Sequence, residues 1–310
     1  MSPATRSSQV RAGVEESAML EWIEVSPEVV VVATPSRAAL HDVPSFGADP
    51  FCEPMRGAGQ PETSHWLFEG AIALAARDFR EQRKAVAEAS GGPSAALWAY
   101  RLTGLFHTTH ATRRLLPLIA QRFAASGRRA LADWAAHKLT EEAGHDELAL
   151  RDLQALGYQA RELALAVRPA RAAAWVQQFE QIAADPDPVA CVGYAHALER
   201  LALLRGAKEV AAIEAALPAG HNATRCLRVH SGLGSDVSHV RANVAVTAAL
   251  SAPERRSVVR ACYRAARIYF DPALDVVLGE GELQALLAPF CVVPISPAVP
   301  PSNNQEQVNV

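Results

Sequence analysis

Apolar residues recur at spacings of three and four along most of the chain, from about Trp66 to Phe290. This spacing predicts amphipathic helices that each bury one face. Gly and Pro interrupt the pattern at intervals that are typical of helix ends. The predicted helices start near Leu67, Ser94, Arg128, Ala170, Pro188, Lys208, Ala223, Pro253 and Glu280. Because long helices with short connections form antiparallel bundles, the pattern predicts an all-α bundle of about seven principal helices.

The two ends of the chain lack this helical period. Residues 1–65 carry much of the proline and small polar content, with one short β-like run from Glu28 to Thr34. They predict an irregular N-terminal arm in front of a helical domain that covers residues 66–290. Residues 291–310 are rich in Pro, Asn and Gln and have little to bury, which predicts a mobile C-terminal tail.

Composition supports the helical core and narrows the range of partners. Half of the residues are hydrophobic, but only 6% are aromatic and alanine is abundant, which favours closely packed helices over sheets. The formal net charge of −3 disfavours a nucleic-acid surface. No apolar run approaches the length of a membrane span or a signal peptide, so we expect a cytoplasmic protein without a membrane partner. The five scattered cysteines predict free thiols.

The segment HKLTEEAGHDELALRDLQALG, residues 137–157, concentrates imidazoles and carboxylates in one predicted helix. Glu142 and His145 are three residues apart, which places them about 60° from each other on a regular helix. A carboxylate and an imidazole at this spacing can bind one metal ion, as they do in di-iron bundles. Taken alone, such a pair is more often solvated on a helix surface.

Two further predicted helices carry similar residues. Asp236 and His239 repeat the spacing of carboxylate and imidazole, and His230 lies shortly before them. Glu199 stands among leucine and alanine residues, at a position where a core-facing side chain is expected. Because an unpaired buried carboxylate is strongly disfavoured, a bound metal would compensate Glu199. An ion pair between Glu199 and Arg200, or an arginine of another helix, is the alternative.

The three helices together offer three carboxylates and three imidazoles: Glu142, His145, Glu199, His230, Asp236 and His239. This composition suits two iron ions with open positions for dioxygen. Zinc hydrolysis would need fewer ligands. In the alternative interpretation, the histidines only satisfy hydrogen bonds in the core.

The pattern H-x-x-x-E-E-x-G-H-D, followed by D-L-x-x-L-G, resembles the signature of the haem-oxygenase-like di-iron oxidases and oxygenases, a family of iron-containing redox enzymes. The segment GYAHALER, residues 193–200, resembles the family's second ligand helix, with Glu199 in the place of its metal-bridging carboxylate. HSGLGSDVSHV, residues 230–240, resembles the last ligand helix. The resemblance spans most of residues 95–275 and depends on three motifs in the right order.

The last motif departs from the family's pattern, because His230 precedes Asp236 by six residues instead of four. On a regular helix, this spacing turns His230 by about 120° from Asp236 and by about 180° from His239. Gly232 and Gly234 lie between them, and a π-bulge or local unwinding there would return the imidazole to the site.

The resemblance implies a haem-oxygenase-like fold that holds two ferrous ions, uses dioxygen as co-substrate and an external electron donor, and oxidises a small organic molecule. Glu142, His145, Glu199, Asp236 and His239 would be the catalytic residues, and His230 would complete the metal ligands. Family reactions include N-oxygenation, which we favour for an amino-acid-like amine in natural-product biosynthesis. The alternative reaction is oxidative C–C cleavage or decarboxylation of a fatty or amino acid.

The sequence is also compatible with a protein that binds no metal at these residues. A metal-free enzyme of the same fold, or a helical binding protein, would use the six residues structurally. Many enzymes of this class are homodimers, although no sequence feature specifies an interface. Arg113 and Arg114 could clamp a substrate carboxylate, with surface positions as the more common outcome. His137 and Glu141 could orient ligands or pair with each other, and we expect Asp146 to pair with an arginine.

Overall fold

The computed structural model describes residues 20–43, 59–89, 92–204, 207–230, 236–275 and 278–292, without the side chains of residues 86–89 and 236–237. Its strands are β1 Glu21–Glu24, β2 Val29–Ala33 and β3 Ala38–Asp42. Its α-helices are α1 Pro61–Asp78, α2 Arg80–Ala89, α3 Ala95–Ala125, α4 Arg129–Glu141, α5 His145–Ala155, α6 Ala160–Ala166, α7 Ala170–Ala184, α8 Cys191–Ala202, α9 Ala207–Ala216, α10 Arg225–Val229, α11 Asp236–Ala248, α12 Ala252–Phe270 and α13 Glu280–Leu287.

Helix α3, with 31 residues, is the central element of the bundle and packs against α4, α5 and α7. Ser94 caps its first turn, because the Ser94 hydroxyl accepts a hydrogen bond of 3.1 Å from the backbone N–H of Leu97. Buried side chains along α3 join two apolar clusters. One includes Leu116 and Phe123 and continues into α8 and α12, and the other includes Leu102 and continues into α5 and α6.

Helices α8 and α12 cross at very close range beside the larger cluster. A Cβ atom added at Gly193 would lie only 1.8 Å from the carbonyl oxygen of Val258. The absence of a side chain at Gly193 is therefore what allows these two helices to touch through their backbones. Their contact holds α8, which carries Glu199, against the core.

The N-terminal part of the chain forms an antiparallel sheet with strand order β1-β2-β3. Val31 in β2 pairs with Ile23 in β1 and with Leu40 in β3. All five residues of β2 are buried, and a Cβ at Gly70 of α1 would lie 2.5 Å from Cγ1 of Val31. Residues 21–42 are thus an ordered sheet and not an irregular arm, because the apolar face of β2 packs on α1.

A buried ion pair connects this sheet to helix α12. The Arg255 guanidinium in α12 donates from Nε to Oε1 of Glu21 in β1 at 2.7 Å, and both residues are nearly inaccessible to solvent. Removing either partner would leave the other as an uncompensated buried charge. The pair therefore holds β1 against α12.

The remaining predictions about the fold have different outcomes. The predicted helix starts at Ala170 and Glu280 coincide with the observed ones, whereas α1 begins at Pro61, ahead of the predicted start near Leu67. Cys191, Cys226 and Cys262 are free and buried, and Cys291 is free and half-buried, while Cys52 lies outside the described residues. Residues 293–310 also lie outside them, so the mobile tail stays a prediction. None of the helices in the described ranges is long and apolar enough to cross a membrane.

Candidate metal centre

The first group of potential metal ligands consists of Glu142, His145 and His230, whose ligand atoms all lie within 4.8 Å of one another. Glu142 caps the end of α4, and His145 begins α5. The predicted continuous helix is therefore wrong at this point. Gly144 has a φ of 85°, a left-handed conformation that favours glycine, and the turn that contains it separates α4 from α5. The turn still brings Oε2 of Glu142 within 2.8 Å of Nδ1 of His145.

His230 reaches this group from a separate short helix. It caps the C-terminal end of α10, and its ring centre lies 4.7 Å from that of His145, with the two rings nearly perpendicular. Helix α10 ends at Val229 and α11 begins at Asp236. Because the two segments are not one regular helix, the rotation that the sequence predicts for His230 does not apply.

The second group consists of Glu142, Glu199 and His239, again with ligand atoms within 4.8 Å of one another. Glu199 lies in α8 and His239 in α11, and both are buried. Glu142 belongs to both groups, so it is the shared carboxylate, whereas the resemblance gave that place to Glu199. Asp236 is the first residue of α11, and its side chain lies outside the described part of the structure.

Lys138 in α4 lies beside the second group, although the sequence analysis did not identify it as a site residue. Its Nζ atom lies 2.6 Å from Oε1 of Glu199 and 3.3 Å from Oε2 of Glu141. Glu141 also contacts Nε2 of His239 at 3.0 Å and Nε2 of His137 at 3.1 Å. The signal in the sequence is that Lys138 precedes Glu142 by four residues, one helical turn.

A second residue that the sequence did not mark fixes the other oxygen of Glu199. Asn243 donates from Nδ2 to Oε2 of Glu199 at 2.6 Å. The indole N–H of Trp134 donates to Oδ1 of Asn243 at 3.0 Å, which orients the amide so that its NH₂ group faces the carboxylate. Arg200 is not the partner of Glu199, because it forms a two-point ion pair with Glu69 at 2.7 and 3.0 Å.

The protonation states of the site fit metal binding. Burial opposes ionisation of Glu142, but the hydrogen bond from His145 and the charges of His230, His145 and Lys138 outweigh it and lower the pKa of Glu142. Burial, together with the nearby Lys138, lowers the pKa of His239, although Glu141 and Glu142 act in the opposite direction. An ionised carboxylate and a neutral imidazole are the forms that bind a metal ion.

The other residues that the sequence marked lie away from the two groups. Asp146 is buried, 3.0 Å from Nδ1 of His110 and 3.6 Å from the Arg113 guanidinium, so it pairs with an arginine as predicted. Arg114 forms an ion pair with Glu180. Both arginines are largely exposed, as the sequence favoured, and neither lines the cavity described next, so they do not form the alternative clamp.

An apolar cavity of about 130 Å³ opens onto the two ligand groups. Glu142, Glu199, His230 and Lys138 form its polar wall. The rest of the lining is mostly apolar and comes from α3, α7, α8 and α10, including Leu105, Leu116, Phe179, Tyr194, Leu198 and Leu227. Concave, mostly apolar pockets with a few convergent polar groups are the usual form of small-molecule sites.

A family model described as iron-containing redox enzyme matches residues 100–270. This match covers more than half of the chain and includes all the residues of both ligand groups. The chain belongs to this family, as the motifs predicted, and the family assignment supports an oxidoreductase that binds iron.

The structure is similar to that of a domain of unknown function with a heme oxygenase-like fold from Shewanella denitrificans. The two chains are 17% identical, with a TM-score of 0.52, and the alignment covers 72% of this chain and 89% of the other. The predicted all-α, haem-oxygenase-like fold is thereby confirmed. Among curated proteins, no relative matches the chain.

Proposed function

We propose that this protein is a non-haem di-iron oxygenase that activates dioxygen and oxidises a small organic substrate. The observation that carries the proposal is that two ligand groups share Glu142 at the wall of an apolar cavity. Mixed carboxylate and imidazole ligands suit iron, and a site that shares one carboxylate can hold two ions side by side. A haem would need one proximal ligand and would give no reason for two carboxylates at the cavity wall.

Each residue of the two groups has a defined place in the proposal. Glu142, His145 and His230 would hold one ion, and Glu142, Glu199 and His239 would hold the other. Asp236 is proposed as a sixth ligand from its spacing to His239. Ferrous iron, when bound, supplies electrons for the reduction of dioxygen, and an external electron donor restores them.

The chain's own side chains would position the substrate and exclude water. Apolar residues such as Phe179 and Leu198 surround the cavity, so the body of the substrate is expected to be apolar. Its reacting atom would face Glu142 and Glu199 at the polar wall. This arrangement supports a small amine with an apolar body as the substrate of an N-oxygenation, and it equally admits oxidative C–C cleavage of an apolar acid.

A metal-free binding protein of the same fold is the second candidate. The ion pair between Lys138 and Glu199 favours it, because this pair already satisfies one buried carboxylate without a metal.

Iron binding under anaerobic conditions tests the proposal. Metal-free protein is titrated with ferrous iron, bound iron is counted per chain, and oxygen consumption is then recorded. We expect about two irons per chain and oxygen uptake, as for other di-iron bundles. His145→Ala should lose at least one iron, whereas His221→Ala, which changes an exposed histidine outside the site, should retain both. Protein without bound iron and without oxygen uptake would overturn the proposal in favour of the binding protein.

A further inference from the structure

Lys138 is unusual both in its position and in its residue type. Only three of the 30 Lys and Arg residues are lysines, and the other two, Lys84 and Lys208, are exposed. Lys138 is buried, with its ammonium 2.6 Å from Oε1 of Glu199. Burial of a lysine is rare unless it is paired, so this ammonium has a defined partner inside the proposed metal centre.

We infer that Lys138 is a built-in cation that takes the place of the second metal ion, so that the two metal positions fill in a fixed order. The inference rests on the proposed function. The first metal would bind to Glu142, His145 and His230. The second metal would bind to Glu199 only after the Lys138 ammonium has moved away from that carboxylate.

The two ligand groups differ in what their carboxylates contact. In the first group, Glu142 contacts His145, which is a member of the same group. In the second group, Oε1 of Glu199 contacts a cation that is not a ligand. A metal ion about 2.0–2.2 Å from a carboxylate oxygen needs the space and the lone pair that the ammonium now uses. Binding of the second metal therefore competes with Lys138.

The structure also provides a place for the displaced ammonium. Nζ of Lys138 lies 3.3 Å from Oε2 of Glu141, which belongs to neither ligand group. Lys138 can thus release Glu199 and remain paired with Glu141. Lysine suits this role, because it carries a compact charge on a flexible chain, whereas arginine forms rigid two-point pairs.

Before metal binding, the ammonium has a stabilising role. Glu199 is buried, and a buried carboxylate without a partner is strongly disfavoured. Lys138 pairs with Oε1 of Glu199 and Asn243 donates to Oε2, so both carboxylate oxygens have a partner. The consequence is a weaker second site, because each metal ion that binds there must first replace an existing ion pair.

A manganese titration of the metal-free protein tests the inference. Free Mn²⁺ is followed by electron paramagnetic resonance, and the wild type should show one tight and one weaker site. Lys138→Met removes the charge with a similar side-chain volume and should tighten the second site at least tenfold, with a smaller effect on the first. Lys208→Met removes an exposed charge and should leave both sites unchanged.

The possible failures can be told apart. Wild-type protein that binds no Mn²⁺ at either position would overturn the proposed function itself. Wild-type protein that binds two ions, with a second site that Lys138→Met leaves unchanged, would overturn only the role of Lys138. Equal tightening of both sites would also overturn it, because it would reflect the loss of a nearby charge and no competition for Glu199.

A measurement on the wild type does not depend on the folding of that variant. Because the chain has three lysines, ¹⁵N-lysine labelling gives a simple spectrum of side-chain ammonium groups, which Lys84→Met and Lys208→Met variants assign. Diamagnetic Zn²⁺ is the probe metal. The Lys138 signal should change mainly between the first and the second equivalent of Zn²⁺. A signal that completes its change with the first equivalent, or stays unchanged after the second has bound, would overturn the inference.

Discussion

The close crossing of α8 and α12 makes Gly193→Ala a sharp test of the packing that positions the site. The new Cβ would lie 1.8 Å from the carbonyl oxygen of Val258 and 3.1 Å from the backbone nitrogen of Cys262. Both atoms belong to the backbone of α12, so no side-chain rotation can relieve the contact. Since Cβ atoms essentially never come closer than 3.0 Å to such atoms, the two helices must separate by more than about 1 Å.

The expected loss of stability follows from this separation. Overpacking in a core costs about 1–3 kcal/mol, and a contact with rigid backbone lies at the upper end of that range. The better helix propensity of alanine returns at most about 1 kcal/mol. We therefore expect Gly193→Ala to lower the free energy of unfolding by about 2 kcal/mol. A shift of α8 also moves Glu199 relative to Asn243 and to the other ligands of the second group, Glu142 and His239, so metal binding at the second group should weaken about tenfold.

Urea denaturation of the metal-free protein measures the loss as a lower midpoint at unchanged slope. The matched control is Gly104→Ala in α3, where the new Cβ would lie 3.4 Å from Cγ of Pro169, an ordinary contact distance. The control should be as stable as the wild type or slightly more stable. If Gly193→Ala matched the control in both stability and metal binding, the argument from the helix crossing would be refuted.

Three further predictions concern buried polar groups. Burial, followed by the charges of neighbouring basic residues, lowers the pKa of His196 to about 3, so the folded protein keeps this imidazole neutral while the unfolded chain binds a proton below pH 6.5. The free energy of unfolding therefore falls by about 1.4 kcal/mol per pH unit as the pH is lowered from pH 6.5 to pH 3. Urea denaturation at pH 7.5 and at pH 5 should show a smaller loss of stability for His196→Phe than for the wild type. Equal losses in the two proteins would contradict the assignment. Glu21→Gln should lower the free energy of unfolding by about 3 kcal/mol, because Arg255 is left as a buried charge, and an unchanged urea midpoint would show that the pair is dispensable. Asn243→Ala should weaken Mn²⁺ binding at the second group by about tenfold or more, because Glu199 loses the donor to Oε2; unchanged affinity would exclude a positioning role.

The helices could be predicted because their limits depend on local signals. Proline at the first position, serine at the cap and glycine after the last turn act within a few residues of the helix end. Helix α3 begins directly after Ser94 for this reason. The sheet could not be predicted in full. The run from Glu28 to Thr34 indicated a strand, but its partners Glu21–Glu24 and Ala38–Asp42 are short, and their pairing depends on packing against α1.

The residues of the candidate site were likewise predicted only in part. Residue types and spacings indicated Glu142, His145, Glu199 and His239, because carboxylates and imidazoles one turn apart are recognisable without coordinates. The break at Gly144 was not predicted, since a left-handed glycine leaves no periodic signal.

Lys138 and Asn243 were missed for another reason. Their roles depend on the distance from α4 and α11 to Glu199 in α8, which only the packed bundle defines. The part played by Asp236 stays a prediction, because its side chain lies outside the described residues.

The ion pair between Glu21 and Arg255 also constrains how the protein is made. The two residues are 234 positions apart, so the carboxylate emerges from the ribosome long before its partner exists. At translation rates of about 5–20 residues per second, the delay is roughly 10–50 s. During this time the hairpins of the sheet can form from local contacts. Burial of Glu21 in β1 would, however, leave an unpaired buried charge. The N-terminal strand can therefore dock only after α12 has been synthesised, and until then the surface that β1 will cover stays exposed to solvent and to chaperones.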